Sequence, residues 1–364
     1  MNLIVDSHED LAWNMLTFGR DYTRSAQETR ALESGSPAVE HNGDTLLGWP
    51  DYQRGRVAVI FSTLFASPSR YVEGDWERIY YPDGDSKTAH RVYWGQLETY
   101  HRLADSHPDK FSLLASRADL KRILDDWSSP ADGHPVGLIP LMEGAEGVRA
   151  PSELAEWWDF GVRIIGPAWA GTRFCGGTKE PGPLTDEGRA LLKAMADFPF
   201  SLDLSHADEP AALEALDLYE GPILASHGNC LALLPGYATN RQFSDRLLRG
   251  LIEREGVVGL VPYNTFLKVG WLRANGSRRE EAPLASFADH IDHVCQLAGN
   301  TRHAAIGSDF DGGFGLQSVP PEMDTIADLH KLADLLQPRG YSASDMEAIL
   351  GGNWIRLMEK HLPE

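Results

Sequence analysis

His8 and Asp10 close a short apolar run in Ile4-Val5-Asp6-Ser7-His8-Glu9-Asp10-Leu11. If residues 3–6 form a strand, the side chains of His8 and Asp10 lie just beyond its carboxyl end and point to the same side, because side-chain direction in extended backbone repeats every two residues. An imidazole and a carboxylate that point into one pocket can hold a divalent metal. Alone, a His-x-Asp pair is a weak signal, so its meaning depends on whether the arrangement recurs.

The arrangement does recur, since apolar runs end in a histidine or an acidic residue four more times, at Glu143, His206, His227 and Asp309. Each has an ordinary explanation when taken singly. A histidine at a strand end can cap a loop, Glu143 can be an acid at a helix N-terminus, and Asp309 can form an Asx turn before glycines. Their joint occurrence favours a metal site.

The candidate ligands are three imidazoles and three carboxylates, without a thiolate. This set favours Zn²⁺, with Mn²⁺, Co²⁺ or Fe²⁺ as alternatives. Six such groups exceed what one tetrahedral zinc requires. Two metals ~3.5–4 Å apart, bridged by a carboxylate, would use all of them.

The elements that must position these residues are eight short apolar runs with helical patterns between them. Several runs are nearly continuous in Val, Ile and Leu, which is typical of parallel strands covered by helices. Strand–helix alternation eight times over predicts a (β/α)8 TIM barrel, in which strand carboxyl ends meet on one face. The predicted strands are 3–6, 57–65, 136–142, 162–168, 201–205, 222–226, 257–263 and 304–308. The predicted helices are 88–105, 185–198 with Thr185 as N-cap, 208–219, 243–254, 287–298 and 325–336.

The chain has 364 residues, whereas a lean barrel needs ~250, so insertions are expected. The polar stretches 19–55, 67–87 and 270–283 are predicted to be surface excursions. No linker or composition shift divides the chain, and residues 1–364 are therefore predicted to form a single (β/α)8 barrel domain with loop insertions.

The amino-acid composition argues against two classes of binding partner. A formal charge of -20 repels phosphate backbones and anionic membranes, which argues against nucleic-acid or membrane binding. Three cysteines without a CxxC pair indicate reduced thiols and a cytoplasmic location. The first residues do not resemble a signal peptide, and no apolar run approaches the ~20 residues of a membrane span.

Five segments carry a family resemblance over nearly the whole chain. They are Asp6-Ser7-His8-Glu9-Asp10-Leu11, the pairs Ser205-His206 and Ser226-His227, Gly307-Ser308-Asp309-Phe310-Asp311-Gly312, and Gly351-Gly352-Asn353-Trp354. Together they resemble the metal-dependent dipeptidases of the renal (membrane) dipeptidase type, peptidase family M19 of the amidohydrolase superfamily. The resemblance implies a hydrolase that uses two divalent metal ions to cleave dipeptides, and it implies a homodimer.

The resemblance also implies roles for individual residues. His8 and Asp10 would bind one metal, His206 and His227 the other, and Glu143 both. Asp309 would be the catalytic acid and base. Among the residues outside this ligand set, two would contact substrate: Arg241, which would hold the substrate carboxylate, and Tyr263, which would line the pocket.

One position departs from the family pattern. At the end of strand four the family usually has a histidine that contacts the reacting carbonyl, whereas Ile164-Ile165-Gly166-Pro167-Ala168-Trp169 places Trp169 there. Indole offers one N–H and a large apolar face but no acceptor. A shifted alignment would also explain the difference.

Three functional hypotheses follow. The leading one is a binuclear metallodipeptidase with a small-molecule substrate. The second is an amidohydrolase that acts on another small amide, ester or lactone, because Trp169 replaces the histidine. The third is a catalytically silent barrel that serves as a scaffold, which the presence of all six core residues argues against.

Overall fold

Eight parallel strands form a barrel in the computed structural model, which describes residues 2–364. The strands are β1 Ile4–Glu9, β2 Val57–Leu64, β3 Val136–Glu143, β4 Ile164–Gly166, β5 Ser201–Asp203, β6 Ile223–Leu224, β7 Val258–Leu260 and β8 Ala304–Ile306. Their hydrogen-bonded order is β6-β5-β4-β3-β2-β1-β8-β7, and a parallel bridge between Ala225 and Val258 joins the two ends. The predicted (β/α)8 fold is thereby confirmed.

Strand β1 extends three residues beyond its predicted end. The sequence pattern stops at Asp6 because polar residues follow, yet residues 4–9 are all buried. Their polar groups find partners inside the barrel: Asp6 Oδ1 accepts a hydrogen bond from Ser308 N at 2.7 Å, and Ser7 Oγ donates to the Ile306 carbonyl at 3.0 Å. A buried polar group with a partner does not end a strand.

Helices cover the barrel, and most of the predicted ones are present. Thr185 caps its helix as predicted, since its hydroxyl accepts a hydrogen bond from Gly188 N. Among the described residues, no helix is both long and apolar enough to cross a membrane. The α-helices are α1 Leu11–Phe18, α2 Ala26–Glu33, α3 Pro37–His41, α4 Trp49–Gly55, α5 Ser86–Ser106, α6 Arg117–Trp127, α7 Leu154–Asp159, α8 Asp186–Met195, α9 Glu209–Leu218, α10 Asp245–Glu253, α11 Asn264–Leu267, α12 Leu284–Ala298, α13 Leu332–Leu336, α14 Ala343–Glu347 and α15 Asn353–His361.

The predicted helix 325–336 is correct only in its second half. Residues Ile326–Lys331 form a 3₁₀ helix, and the α-helical part is α13. The buried residues Ile326, Leu329 and Leu332 recur every three positions, which matches the three residues per turn of a 3₁₀ helix.

Five short strands lie outside the eight strands of the barrel. Phe111–Leu113 pairs with β3, and Ser67–Pro68 pairs with Tyr80–Tyr81 inside the predicted excursion 67–87. Cys175–Gly177 and Glu180–Leu184 form an antiparallel hairpin after β4, which the sequence pattern did not indicate. This hairpin lies over the carboxyl end of the barrel, because Thr178 at its tip contacts His206.

The stretch 19–55 is more than a surface excursion, since it carries α2, α3 and α4 and delivers buried polar groups to Asp311. Arg20 Nη1 lies 2.9 Å from Asp311 Oδ2, and Tyr22 and Thr45 donate hydroxyl protons to the same oxygen at 2.8 and 2.6 Å. Asn42 donates to the Asp311 carbonyl at 2.9 Å. The inserted segment therefore fixes the turn that follows β8.

Thr45→Val should destabilise the protein by roughly 1.5–3 kcal/mol, because it removes a hydrogen bond to a buried carboxylate with little change of shape. The measurement is the free energy of unfolding from urea denaturation. Thr23→Val is the control, since the Thr23 hydroxyl bonds Asp21 at the surface and its loss should stay within about 0.5 kcal/mol. Equal losses in both variants would contradict the anchoring role.

Candidate metal centre

The six candidate ligands converge at the carboxyl ends of the barrel strands. His8 Nε2 lies 3.6 Å from Asp10 Oδ2, 3.7 Å from Glu143 Oε1 and 3.8 Å from Asp309 Oδ1. The short distance between His8 and Asp10 shows that both side chains point into the same pocket, as their spacing predicted. Two overlapping groups have ligand atoms close enough to share an ion: His8, Glu143 and His227, and His8, Asp10 and Asp309.

Glu143 lies at the middle of the cluster. Its Oε1 is 3.1 Å from His206 Nε2 and 3.4 Å from His227 Nε2. That oxygen is buried and accepts no hydrogen bond in the described part of the chain. A buried carboxylate oxygen without a donor is costly unless a cation satisfies it. The donor set and its geometry thus fit divalent metal.

The pKa values of the three imidazoles are shifted in opposite directions, although burial lowers the pKa of each. It lowers the pKa of His206 and of His227 well below the usual value, and the positive charges of Arg241 and His8 lower both further. For His8, burial also favours the neutral ring, but the carboxylates of Glu143, Asp10 and Asp309 outweigh it and raise the pKa to about 10. The His206–His227 pair is therefore neutral, as metal binding requires.

Left-handed backbone occurs at two of these positions. His206 has φ 64° and Asp309 has φ 57°, a region that residues other than glycine rarely adopt. Such conformations persist where surrounding contacts impose them, and they are common at functional sites. Gly312 completes the turn, because a side chain there would collide with the Asp309 carboxylate and approach Asp10 Oδ2 to 2.9 Å.

Asp309 has the environment of a proton carrier. Burial raises its pKa to about 7, the negative charge of Asp10 adds to the rise, and His8 and Arg241 oppose it. Its carboxylate accepts no hydrogen bond from residues 2–364, although its backbone N–H donates to the His8 carbonyl at 3.1 Å. A carboxyl group with a pKa near neutrality can both accept and donate a proton.

Arg241 is a buried cation beside the cluster, 4 % exposed. Its Nη2 donates a hydrogen bond to the His227 carbonyl at 3.0 Å, whereas Nε and Nη1 have no hydrogen-bond partner within residues 2–364. Burial lowers its pKa, and the charges of Asp309 and Glu143 oppose that shift. The guanidinium keeps unused donors next to the candidate metal ligands.

Aromatic side chains stand around this cluster. The Trp169 ring centroid is 6.3 Å from that of His206, and Trp169 also packs on Phe65 and Tyr71 at 5.0 and 5.8 Å. Tyr263 stacks on Phe314 with centroids 4.1 Å apart. Trp169 thus lies beside the candidate metal ligands, as the sequence pattern predicted.

Comparisons with known proteins identify the family. The sequence profile of the membrane dipeptidase family, peptidase family M19, matches residues 2–362. The chain belongs to this family. This M19 protein is 31% identical to an uncharacterized protein from the pqqA 5′ region of Klebsiella pneumoniae, over 74% of this chain and 95% of that one. Dipeptidase aclJ of Aspergillus oryzae is 28% identical over 98% of this chain and 77% of its own.

Solved structures share the fold of this M19 protein. A metallopeptidase from Rhodobacter sphaeroides, liganded with a phosphinate mimic of the dipeptide L-Ala-D-Ala, superposes with a TM-score of 0.77. It is 24% identical and covers 99% of this chain and 100% of its own. The dipeptidase AC, also of family M19, has the same TM-score and identity and covers 100% of this chain and 99% of its own. The resemblance read from the sequence is thereby confirmed.

Sequence reasoning missed the polar residues that hold the M19 protein's imidazoles. Thr178 Oγ1 lies 2.9 Å from His206 Nδ1, and Ser226 Oγ lies 2.8 Å from His227 Nδ1. Asp203 accepts the Ser226 hydroxyl at 2.5 Å. The repeated Ser-His pairs were a usable signal for Ser226, but nothing in the sequence pattern marked Thr178.

Glu143→Gln should weaken metal binding by more than about 100-fold, because loss of even an outer partner of a ligand costs 10–100-fold and Glu143 faces three imidazoles directly. The measurement is zinc content per chain after equilibrium dialysis. Glu9→Gln is the control, since Glu9 is a buried glutamate that accepts its hydrogen bond from Tyr52 instead. Retention of the wild-type zinc content in Glu143→Gln would contradict the central role.

Proposed function

We propose that this protein is a metal-dependent dipeptidase that hydrolyses the peptide bond of a dipeptide. The observation that carries the proposal is the adjacency of Arg241 and the metal-ligand cluster: the guanidinium donates to the backbone carbonyl of the ligand His227. A substrate carboxylate bound by Arg241 would therefore lie close to the metal centre, which favours a short substrate such as a dipeptide.

Two divalent ions, most simply Zn²⁺, are the proposed cofactor. His8 and Asp10 would hold one ion, His206 and His227 the other, and Glu143 both. When bound, such ions polarise the scissile carbonyl and lower the pKa of water. The chain's own contribution is a buried donor set that the barrel already gathers in one place.

Asp309 is proposed to move the proton. In its ionised form it takes a proton from the attacking water, and it then gives that proton to the leaving amine. The supporting observations are a pKa near 7 from burial and a carboxylate that no donor within residues 2–364 engages. A carboxylate already saturated with hydrogen bonds would be a poorer base.

Trp169 and Tyr263 are proposed to line the substrate pocket. With Phe65 and Tyr71, Trp169 forms an aromatic wall beside His206, which suits an apolar substrate side chain. The M19 profile and the dipeptidases among the relatives do not favour the alternative of another amide, ester or lactone.

The proposed setting is the cytoplasm, supported by three buried thiols, none of them in a disulfide. The proposed assembly is a homodimer of single-domain chains, which rests on the family resemblance. The proposed reaction depends on neither the location nor the oligomeric state.

Zinc-loaded protein should hydrolyse free dipeptides and lose activity on the same dipeptides with an amidated C-terminus. Arg241→Ala should lower kcat/KM on free dipeptides, mainly through KM, because a hydrogen bond to a charged group contributes roughly 1.5–3 kcal/mol, a factor of about 10–150. Amidated substrates are the matched control. No dipeptide turnover by metal-loaded wild type would refute the proposed function, whereas equal effects on both substrate types would refute the role of Arg241.

Asp309→Asn should lower kcat by ~10²–10⁴ while both metals stay bound, because the amide preserves shape but cannot accept a proton. Turnover and zinc content are measured on the same sample. A fall in kcat below tenfold with full zinc content would exclude proton transfer by Asp309. Loss of zinc along with activity would show instead that Asp309 is chiefly a ligand.

A further inference from the structure

A buried hydrogen-bond chain runs behind His227, on the side away from Glu143. Asp203 Oδ2 accepts the Ser226 hydroxyl at 2.5 Å, and Ser226 Oγ lies 2.8 Å from His227 Nδ1. Asp203, Ser226 and His227 are 2 %, 0 % and 1 % exposed. Water therefore cannot substitute for any member of the chain.

The carboxylate of Asp203 is held in one orientation by backbone donors. Its Oδ1 accepts hydrogen bonds from Ser205 N at 3.0 Å and from Ser226 N at 2.8 Å. These contacts leave Oδ2 facing the Ser226 hydroxyl. Because Oδ2 accepts the hydrogen bond from the Ser226 hydroxyl, the single proton of that hydroxyl points toward Asp203.

The direction of that proton determines which nitrogen of His227 is protonated. With its proton committed to Asp203, Ser226 Oγ can only accept from the imidazole, so His227 must carry its proton on Nδ1. The neutral ring then has a lone pair on Nε2, the atom that faces Glu143 Oε1 at 3.4 Å. This is the tautomer that binds a metal through Nε2.

The neighbouring serine hydroxyls agree with this assignment, and His206 Nε2, which lies 2.8 Å from His227 Nε2, can donate to its lone pair. Ser205 Oγ accepts from His227 N at 3.0 Å and lies 3.1 Å from Ser226 Oγ, to which its own proton can be donated. The two lone pairs of Ser226 Oγ are then used by Ser205 and His227. The His8 Nδ1 contact at 3.5 Å is longer and weaker.

We propose that Asp203, acting through Ser226, is a positioning residue that fixes the metal-binding tautomer and ring orientation of His227. The inference rests on the proposed function only in that His227 faces a metal. Asp203 touches neither substrate nor metal in this scheme. Its effect reaches the metal site through the hydroxyl proton of Ser226.

The test measures Zn²⁺ affinity by competition with a chromophoric chelator. Ser226→Ala removes the acceptor for Nδ1–H and should weaken zinc binding about 10–100-fold. Asp203→Asn should weaken it at least as much, because the amide can donate to Ser226 Oγ and release the hydroxyl proton toward His227. Thr99→Val is the control: the Thr99 hydroxyl is buried in α5, donates to the Gly95 carbonyl at 2.8 Å and belongs to no strand of the barrel.

Zinc affinity unchanged in Ser226→Ala and Asp203→Asn would overturn the proposal, as would an equal loss in Thr99→Val. A second measurement needs no variant. Proton–nitrogen NMR of metal-free wild type should show the His227 proton on Nδ1, assigned by its proximity to the Ser226 protons. A proton on Nε2 of His227 would overturn the proposal even if all variants failed to fold. Absence of zinc binding by wild type would instead refute the proposed function.

Discussion

The burial of three carboxylates around one imidazole is the constraint on which this site depends. Asp10, Glu143 and Asp309 all lie within 3.8 Å of His8 Nε2, in a chain whose net charge is already -20. Carboxylates gathered around one atom repel one another strongly where water is excluded. Arg241 and His8, whose pKa these carboxylates raise to about 10, are the buried cations beside them, and two positive charges cannot neutralise three carboxylates. The composition of the cluster therefore calls for divalent cations, and only a rigid scaffold can hold it together without them.

The barrel supplies that rigidity by linking each ligand to distant strands. The Ser7 hydroxyl of β1 donates to carbonyls of Ser226 and Ile306, so the strand that carries His8 is tied to the strands before His227 and Asp309. Asp203 holds the backbone of both Ser-His pairs through one carboxylate oxygen. The ligands are positioned as one unit, and a shift of any strand would disturb several of them.

The convergence of the candidate ligands could be predicted from the sequence because each one adjoins an apolar run, and the barrel brings the ends of such runs together. It could not predict the groups that hold them. Arg20 and Asp311 are separated by 291 positions, and nothing in the local pattern of the 19–55 stretch distinguishes a buried arginine from a solvated one. Thr178 belongs to a hairpin rich in glycine, which local propensity assigns to a loop. Polar residues such as Asp6 and Ser7 similarly obscured the true end of β1, since their hydrogen-bond partners come from β8.

Asp309 and Asp311 show how one turn gives two aspartates different functions. Asp311 is fully buried and is engaged by Arg20, Tyr22 and Thr45, so its charge is committed to holding the inserted segment. Asp309 is the less enclosed of the two and accepts no hydrogen bond from residues 2–364, and burial raises its pKa to about 7. Both residues have left-handed backbone, with φ 57° and 63°, so the turn directs one side chain toward Arg20 and the other toward His8. Environment rather than residue type separates their roles. Because the Arg20–Asp311 contact holds the turn, it also supports the position of Asp309 that the proposed proton transfer requires.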